Sequence, residues 1–342
     1  MRELPRAERD LDDLEVTLTG GETGSLAELL DETYTDGFIV LKDGAILFER
    51  YFNHMTPRSL HLSQSVAKTV VGTTAGILVG KGILDPEAPV TRYLPELEAT
   101  GWRGAKLRHV LDMTSGTRFG EAYTDPYSDI GQVDVASGWK PVPGGADPDF
   151  IWPAHVWDLI LGLTETTRPH GMRFEYRSIE TDVLAFCMER ATGRRLARIV
   201  SEELWQKMGA EESACFTVDP AGYALADGGF NATLRDYARL GQLWLDGGVV
   251  PVDWIADSRK RNDALYPPEA EDSLPGGAYR NMIWNGGDGS VLMARGVFGQ
   301  LIYIDFAHDL VAAKLSTWPD FLSPSLEAAT RGAVRAIARA LS

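Results

Sequence analysis

The chain has 342 residues, with 33 Lys+Arg against 49 Asp+Glu for a formal charge of −16, and 44% of it is apolar. That composition is ordinary for a globular protein with ample chain for a large core, in two domains or one two-part body. The acidic balance argues against nucleic acid and against an anionic membrane surface, both of which need a basic face.

The first ten residues, MRELPRAERD, contain no apolar targeting core, and no stretch approaches the roughly 18 apolar residues of a membrane span. A cytoplasmic protein is the expectation. Ser25 to Thr35 has apolar residues at helical spacing. Gly37 to Phe52 reads as two strands around Asp43-Gly44, a strong hairpin signal because both turn positions favour positive φ. Ser65–Leu78 carries no charge except Lys68 and predicts a helix buried on most sides. Helical patterns follow at Leu107–Met113, Asp182–Thr192, Leu196–Met208 and Leu234–Leu245. Between the first two lies a Gly/Pro/Asp-rich stretch, Gly116 to Pro153, of the length that marks functional loops. Gly289–Met293 and Gly299–Lys314 predict strands, and Pro324–Leu341 a terminal helix. Strands at both ends with helices between imply one layered body built by the two termini. Residues 1–85 and 275–342 would form it, 86–274 would be a mainly helical insertion, and an active site would lie in the cleft between them.

Ser65-Val66-Ala67-Lys68 is the first chemical candidate. At the start of a helix, a separation of three puts hydroxyl and ammonium on one face. The helix N-terminus offers free N–H groups to an oxyanion. A lysine desolvated among valines would have its charged form disfavoured and could accept the serine proton. The pattern alone is weak, and Ser137-Gly138-Trp139-Lys140 repeats it inside a loop. A plain N-cap with a solvated lysine is the other reading of Ser65. Tyr176-Arg177-Ser178 precedes the helix Asp182–Thr192, and a tyrosine beside a lysine can serve as general base and then acid. Packing at the start of that helix is its alternative. Gly296-Val297-Phe298-Gly299-Gln300 precedes a strand, where a Gly-bracketed edge lets a backbone N–H approach a substrate oxygen.

In this order the three elements resemble the serine β-lactamase / penicillin-binding-protein superfamily. The likeness is greatest to its class C-like esterase and amidase branch and, within it, to the 6-aminohexanoate-dimer (nylon-oligomer) hydrolases. GILDPEAPVTRYLPEL at Gly82–Leu97, LRHVLDMTSG at Leu107–Gly116, YRSIETDVLAF at Tyr176–Phe186, GGFNATLRDYARLGQL at Gly228–Leu243 and KLSTWP at Lys314–Pro319 extend it along nearly the whole chain. The resemblance implies an α+β, β-lactamase/transpeptidase-like fold, an antiparallel sheet flanked by helices plus the helical insertion. It implies acylation of Ser65, with Lys68 and Tyr176 relaying the proton and an oxyanion hole from the N–H groups of Ser65 and Gln300. Tyr123 would contact the substrate amide, with Asp134, Ser178, Asn231 and Phe298 as further substrate-binding candidates. Val297-Phe298 stand where the family usually has Lys or His, and Ser178 where it commonly has Asn. Both changes point away from β-lactam carboxylates and toward esters or less charged amides.

No carboxylate for deacylation is evident. The six histidines lack metal spacing, and neither G-x-S-x-G nor a nucleotide-binding glycine pattern occurs. No metal or cofactor is expected. Cys187 and Cys215 read as a buried pair of thiols. Trp139, Trp152 and Trp157 could line an apolar cleft or simply pack in the core. The expectation is a serine hydrolase of an ester or linear amide, acting on a small molecule without nucleic-acid or membrane partners. A sensor that acylates without turnover and a D,D-peptidase or true β-lactamase are the alternatives. The natural substrate and the oligomeric state, a homodimer included, stay open.

Overall fold

The computed structural model describes residues 3–262, 264–267, 274 and 276–341. A short hairpin, β1 (Glu15–Thr17) and β2 (Thr23–Ser25), leads into α1 (Leu26–Glu32). Ser25 and Glu28 form a reciprocal capping box at its start. Then come β3 (Thr35–Lys42) and β4 (Ala45–Tyr51), whose turn residues Asp43 and Gly44 have φ of 51° and 75°. This is the two-residue hairpin geometry that an Asp-Gly step supplies.

β5 (His61–Leu62) precedes α2 (Val66–Gly80), buried continuously from Val66 to Leu78. The middle of the chain contributes α3 (Leu107–Leu111), α4 (Asp129–Ala136), α5 (Val156–Gly162) and α6 (Ile179–Thr192). Next are α7 (Leu196–Val200), a π-helical turn Ser201–Trp205, and α8 (Gln206–Met208). β6 (Cys215–Phe216) and β7 (Phe230–Ala232) join β5 in a three-stranded sheet ordered β5-β7-β6. α9 (Leu234–Asp246) and α10 (Val252–Ser258) follow.

The main sheet is completed by β8 (Ala278–Arg280), β9 (Ile283–Asn285), β10 (Val291–Gly296), β11 (Gln300–Asp305) and β12 (Leu310–Ser316). Its order is β4-β3-β12-β11-β10-β9-β8, antiparallel at every pairing. Period-two alternation sorts its side chains into two cores. Ile39, Leu41, Ile302, Ile304, Val311 and Ala313 share one with α2 and α9. Phe38, Val40, Leu301, Tyr303, Leu310 and Ala312 share the other with α1 and the C-terminal helix Pro324–Ala340. α2 is sandwiched between the sheet and the helical middle, which explains why it tolerates almost no charge.

Three local expectations are corrected. The stretch read as a loop contains α4, whose N-cap Ser128 accepts from the Gly131 N–H; its glycine and aspartates masked the helical pattern. The β8–β9 hairpin went unrecognised because Asn281 and Met282 turn it with φ of 54° and 63°, so the usual glycine is missing. Cys187 is buried, but Cys215 is exposed on the short strand β6.

Candidate active site

Ser65 stands at the start of α2 in helical geometry, just after Gln64, which is held at φ 50°. The serine side chain makes no capping hydrogen bond, which disposes of the plain N-cap reading. Lys68 Nζ instead donates to Ser65 Oγ over 3.1 Å and to the Asp227 carbonyl over 2.6 Å. The N–H groups of Val66, Ala67 and Lys68 bond back to Ser63, Gln64 and Ser65, so fewer helix-end donors are free than a bare N-terminus would offer.

Lys68 is buried, yet it is not the neutral amine that desolvation alone would make. Burial is the strongest influence and favours the uncharged form, but Tyr176, Asp227, Glu121 and Asp182 outweigh it and hold the pKa above the ordinary lysine value. Tyr176 is likewise raised, by burial first, with Lys68 and hydrogen bonds to Ser65 and Lys68 pulling the other way. Each group's charge favours the other's, the ammonium of Lys68 easing ionisation of Tyr176 and a phenolate at Tyr176 holding the ammonium, so the two titrate as one pair. The phenol ring stacks on Trp284 at 5.8 Å and meets Tyr279 edge-on at 5.9 Å, so its position is fixed by aromatic packing. Lys68 Nζ lies 5.3 Å from its centroid.

Ser65 and Tyr176 open into a cavity of about 370 Å³. Its walls come from the middle of the chain (Glu121, Tyr123, Phe174), from the sheet and its β10–β11 turn (Trp284, Val297, Gln300) and from the segment after β12 (Trp318, Phe321, Leu322). Gln300 is clamped through its side chain: Nε2 donates to the carbonyls of Phe298 at 3.0 Å and Ser316 at 2.7 Å, and Oε1 accepts the Ser316 N–H at 3.2 Å. This holds Val297–Gly299, in which Phe298 has φ 60°, as a rigid turn beside the cavity.

Glu121 is the residue the sequence reading missed. Its carboxylate takes the Ser178 N–H and, at 3.3 Å, the Ser178 hydroxyl. Burial raises its pKa; Lys68, the Ser178 N–H and Tyr123 oppose that. The only sequence signal was its place two residues before Tyr123.

The β-lactamase family profile matches residues 26–336. The chain belongs to the β-lactamase family. It is 35% identical over 306 residues to the 6-aminohexanoate-dimer hydrolase of Paenarthrobacter ureafaciens, covering 86% of this chain and 76% of that protein. It is 27% identical over 237 residues to esterase EstB of Burkholderia gladioli, covering 62% and 57% respectively. Among solved structures, a Bacillus anthracis protein named for the 6-aminohexanoate-dimer hydrolases superposes with a TM-score of 0.87 at 29% identity, over all of this chain and 88% of that one. The protein is a serine hydrolase of the β-lactamase-like family.

Not every residue carried over from the family reaches this β-lactamase-type cavity. Tyr123 lines it. Asp134 lies on α4 and is paired with Lys140 at 2.6 Å, so the second Ser-x-x-Lys copy supplies a counter-ion. Asn231 sits within the small sheet and donates to the Gly229 carbonyl at 3.0 Å. Ser178 is buried and turned to Glu121, and Val297 rather than Phe298 forms the cavity wall. None of these four substrate-binding candidates is among the residues that line the cavity. The three suspected tryptophans lie elsewhere: Trp139 on Thr217, Trp152 against Tyr127 and Phe150, Trp157 on Phe186. Trp284 and Trp318 take the place expected of them. No helix among the described residues is long and apolar enough to cross a membrane.

Proposed function

We propose that the protein cleaves linear amides of the 6-aminohexanoate-oligomer type through an acyl-enzyme on Ser65. The observation that carries this is the 3.1 Å contact from Lys68 Nζ to Ser65 Oγ, at the floor of a largely apolar cavity. Once the Lys68–Tyr176 pair has given up one proton, it can take the proton of Ser65 as Oγ adds to the scissile carbonyl. The N–H groups of Ser65 and Gln300 would receive the oxyanion, the second fixed by the side-chain clamp on Gln300. The pair returns the proton to the leaving amine as the C–N bond breaks, and water repeats the cycle on the ester.

The walls support this substrate class. Phe174, Trp284, Trp318, Phe321 and Leu322 suit a flexible methylene chain. Likeness to the Paenarthrobacter enzyme supports the same class. A carboxylesterase reading has its own support in Val297, which puts an apolar wall where a carboxylate-binding cation would discriminate, and in the likeness to EstB. Residence in the cytoplasm belongs to the proposal, supported by two unpaired cysteines.

The test is turnover and intact mass with the 6-aminohexanoate linear dimer, p-nitrophenyl butyrate and nitrocefin, wild type beside Ser65→Ala. Release of product from the dimer, lost in the variant, is expected. Ester turnover alone would shift the reading to carboxylesterase, and an adduct on Ser65 that never releases product would make the protein a sensor.

A further inference from the structure

Behind Lys68, away from the cavity, two further carboxyl groups are buried together. Asp182, on the first turn of α6, is 2% exposed and Asp227 is 7% exposed. Asp182 Oδ1 accepts the N–H of Ala226 at 2.9 Å, which ties it to the residue preceding Asp227. Asp227 meets Lys68 twice, by its carbonyl at 2.6 Å and by Oδ2 at 4.0 Å. The remaining oxygens, Asp182 Oδ2 and Asp227 Oδ1, are buried without a hydrogen-bond donor from the described residues. Two adjacent buried carboxylates, each with an unsatisfied oxygen, would be costly if both were ionised. One proton held between them would remove a charge and give both oxygens a partner.

We propose that Asp182 and Asp227 share one proton and act as positioning residues, their single negative charge holding Lys68 as an ammonium and so setting the pH at which the Lys68–Tyr176 pair releases its proton. The inference rests on the Ser65–Lys68–Tyr176 reading above. It agrees with the directions of both carboxyl groups. Asp182 is raised well above the usual range, by burial first and by the charge of Asp227 second. Asp227 is raised by burial, with Lys68 opposing and Asp134 adding. The charged and titratable groups facing this cluster are Lys68 from α2, Tyr176 from the segment before α6, Asp182 on the first turn of α6, Glu121 from its loop and Asp134 from α4, itself paired with Lys140.

The experiment is the pH dependence of kcat/KM for wild type, Asp182→Asn and the double variant Asp182→Asn/Asp227→Asn. An asparagine at 182 keeps the acceptor for the Ala226 N–H. With one shared proton, Asp182→Asn leaves the net charge unchanged, since Asp227 then ionises fully. The acid limb should stay within a few tenths of a pH unit, whereas in the double variant it should move down by about one unit or more, the effect of removing a charge near 4 Å away. A shift in the single variant equal to that in the double would mean two full charges and overturn the shared proton. Unmoved limbs in an active double variant would overturn the electrostatic role. Should the double variant not fold, infrared difference spectra of wild type against Asp182→Asn at pH 8 decide the matter: a protonated-carboxyl band present only in wild type is expected, and its absence overturns the proposal. Undiminished turnover by Ser65→Ala would instead sink the underlying mechanism.

Discussion

Gly296 lies so close to Ser63 that a Cβ on it would stand 2.6 Å from the Ser63 carbonyl oxygen. The same Cβ would lie 3.0 Å from the Gln300 side chain and 3.2 Å from that of Gln64. The end of β10 is thus pressed against the turn that delivers Ser65, and the two halves of the proposed oxyanion hole are set against each other by backbone contact. Gly296→Ala must push them apart. Overpacking of this kind costs about 1–3 kcal/mol, and a misplacement near 1 Å costs about 100-fold in rate. A loss of kcat/KM of that order with only a few degrees lost in Tm is expected from steady-state kinetics and thermal unfolding. Near-native kinetics would show that the turn yields without moving Ser65.

Tyr176→Phe separates proton transfer from packing. The ring's contacts with Trp284 and Tyr279 survive the change, so stability should hold. The hydroxyl near Ser65 and Lys68 is lost. A fall in kcat of roughly 10²–10⁴-fold with an unchanged melting temperature is expected. A loss under tenfold would leave Tyr176 a wall residue.

Glu180 gives a stability test away from the cavity. It is fully buried on α6, where Trp102 Nε1 donates to it at 2.9 Å and Ser115 donates to its other oxygen. Burial pushes its pKa up to about 7, against Arg177 and the two hydrogen bonds. Its folded value exceeds the model-peptide value near 4.5, so between those two pH values the native state binds more protons than the unfolded chain. The contribution of Glu180 to stability therefore falls as pH rises through that window, by roughly 3 kcal/mol in all. In Glu180→Gln the amide oxygen can accept the Trp102 N–H while the amide NH2 donates to a Ser115 hydroxyl rotated to accept it, and the pH dependence is abolished. Chemical denaturation at pH 5 and pH 7.5 should show the variant gaining on wild type at the higher pH; parallel behaviour would mean Glu180 is already ionised at pH 5.

Ser65 and Lys68 were legible because a helical spacing of three is a local rule, and the small, uncharged run that follows them announces a buried helix. Tyr176 was legible by its order in the chain. Glu121, Asp227 and Gln300's side-chain clamp were not, since their roles arise from tertiary placement. A carboxylate two residues before Tyr123, or an aspartate before Gly228-Gly229, is locally indistinguishable from a turn residue. The charge balance at Lys68 was illegible for the same reason. Its valine neighbours are written next to it, whereas the groups that keep it charged come from distant segments. Asp134 looked available to a substrate amine, although its partner Lys140 stands only six residues along the chain, just past the end of α4.

Lys314 is the last buried charge with a measurable signature. It is enclosed on β12, where Nζ donates to the Thr33 carbonyl at 3.0 Å and to the Ser316 hydroxyl. A neutral amine has two N–H donors and finds two acceptors here, so the uncharged form is fully satisfied. Burial lowers its pKa to about 7, with Asp36 opposing. The unfolded chain, at the ordinary value of 10.5, binds more protons than the native state between pH 7 and that value. The desolvation penalty is thus complete below pH 7 and is relieved as pH rises. Lys314→Met has no such titration. Wild type should gain stability relative to this variant, by a kcal/mol or more per pH unit at first, as pH goes from 7 to 9.5 in denaturant titrations. A constant difference over that range would mean that Lys314 stays an ammonium in the fold. Ser316, whose backbone holds the Gln300 side chain, would then be bonded to a charge, and the clamp on the proposed oxyanion turn would carry a field that the neutral amine does not supply.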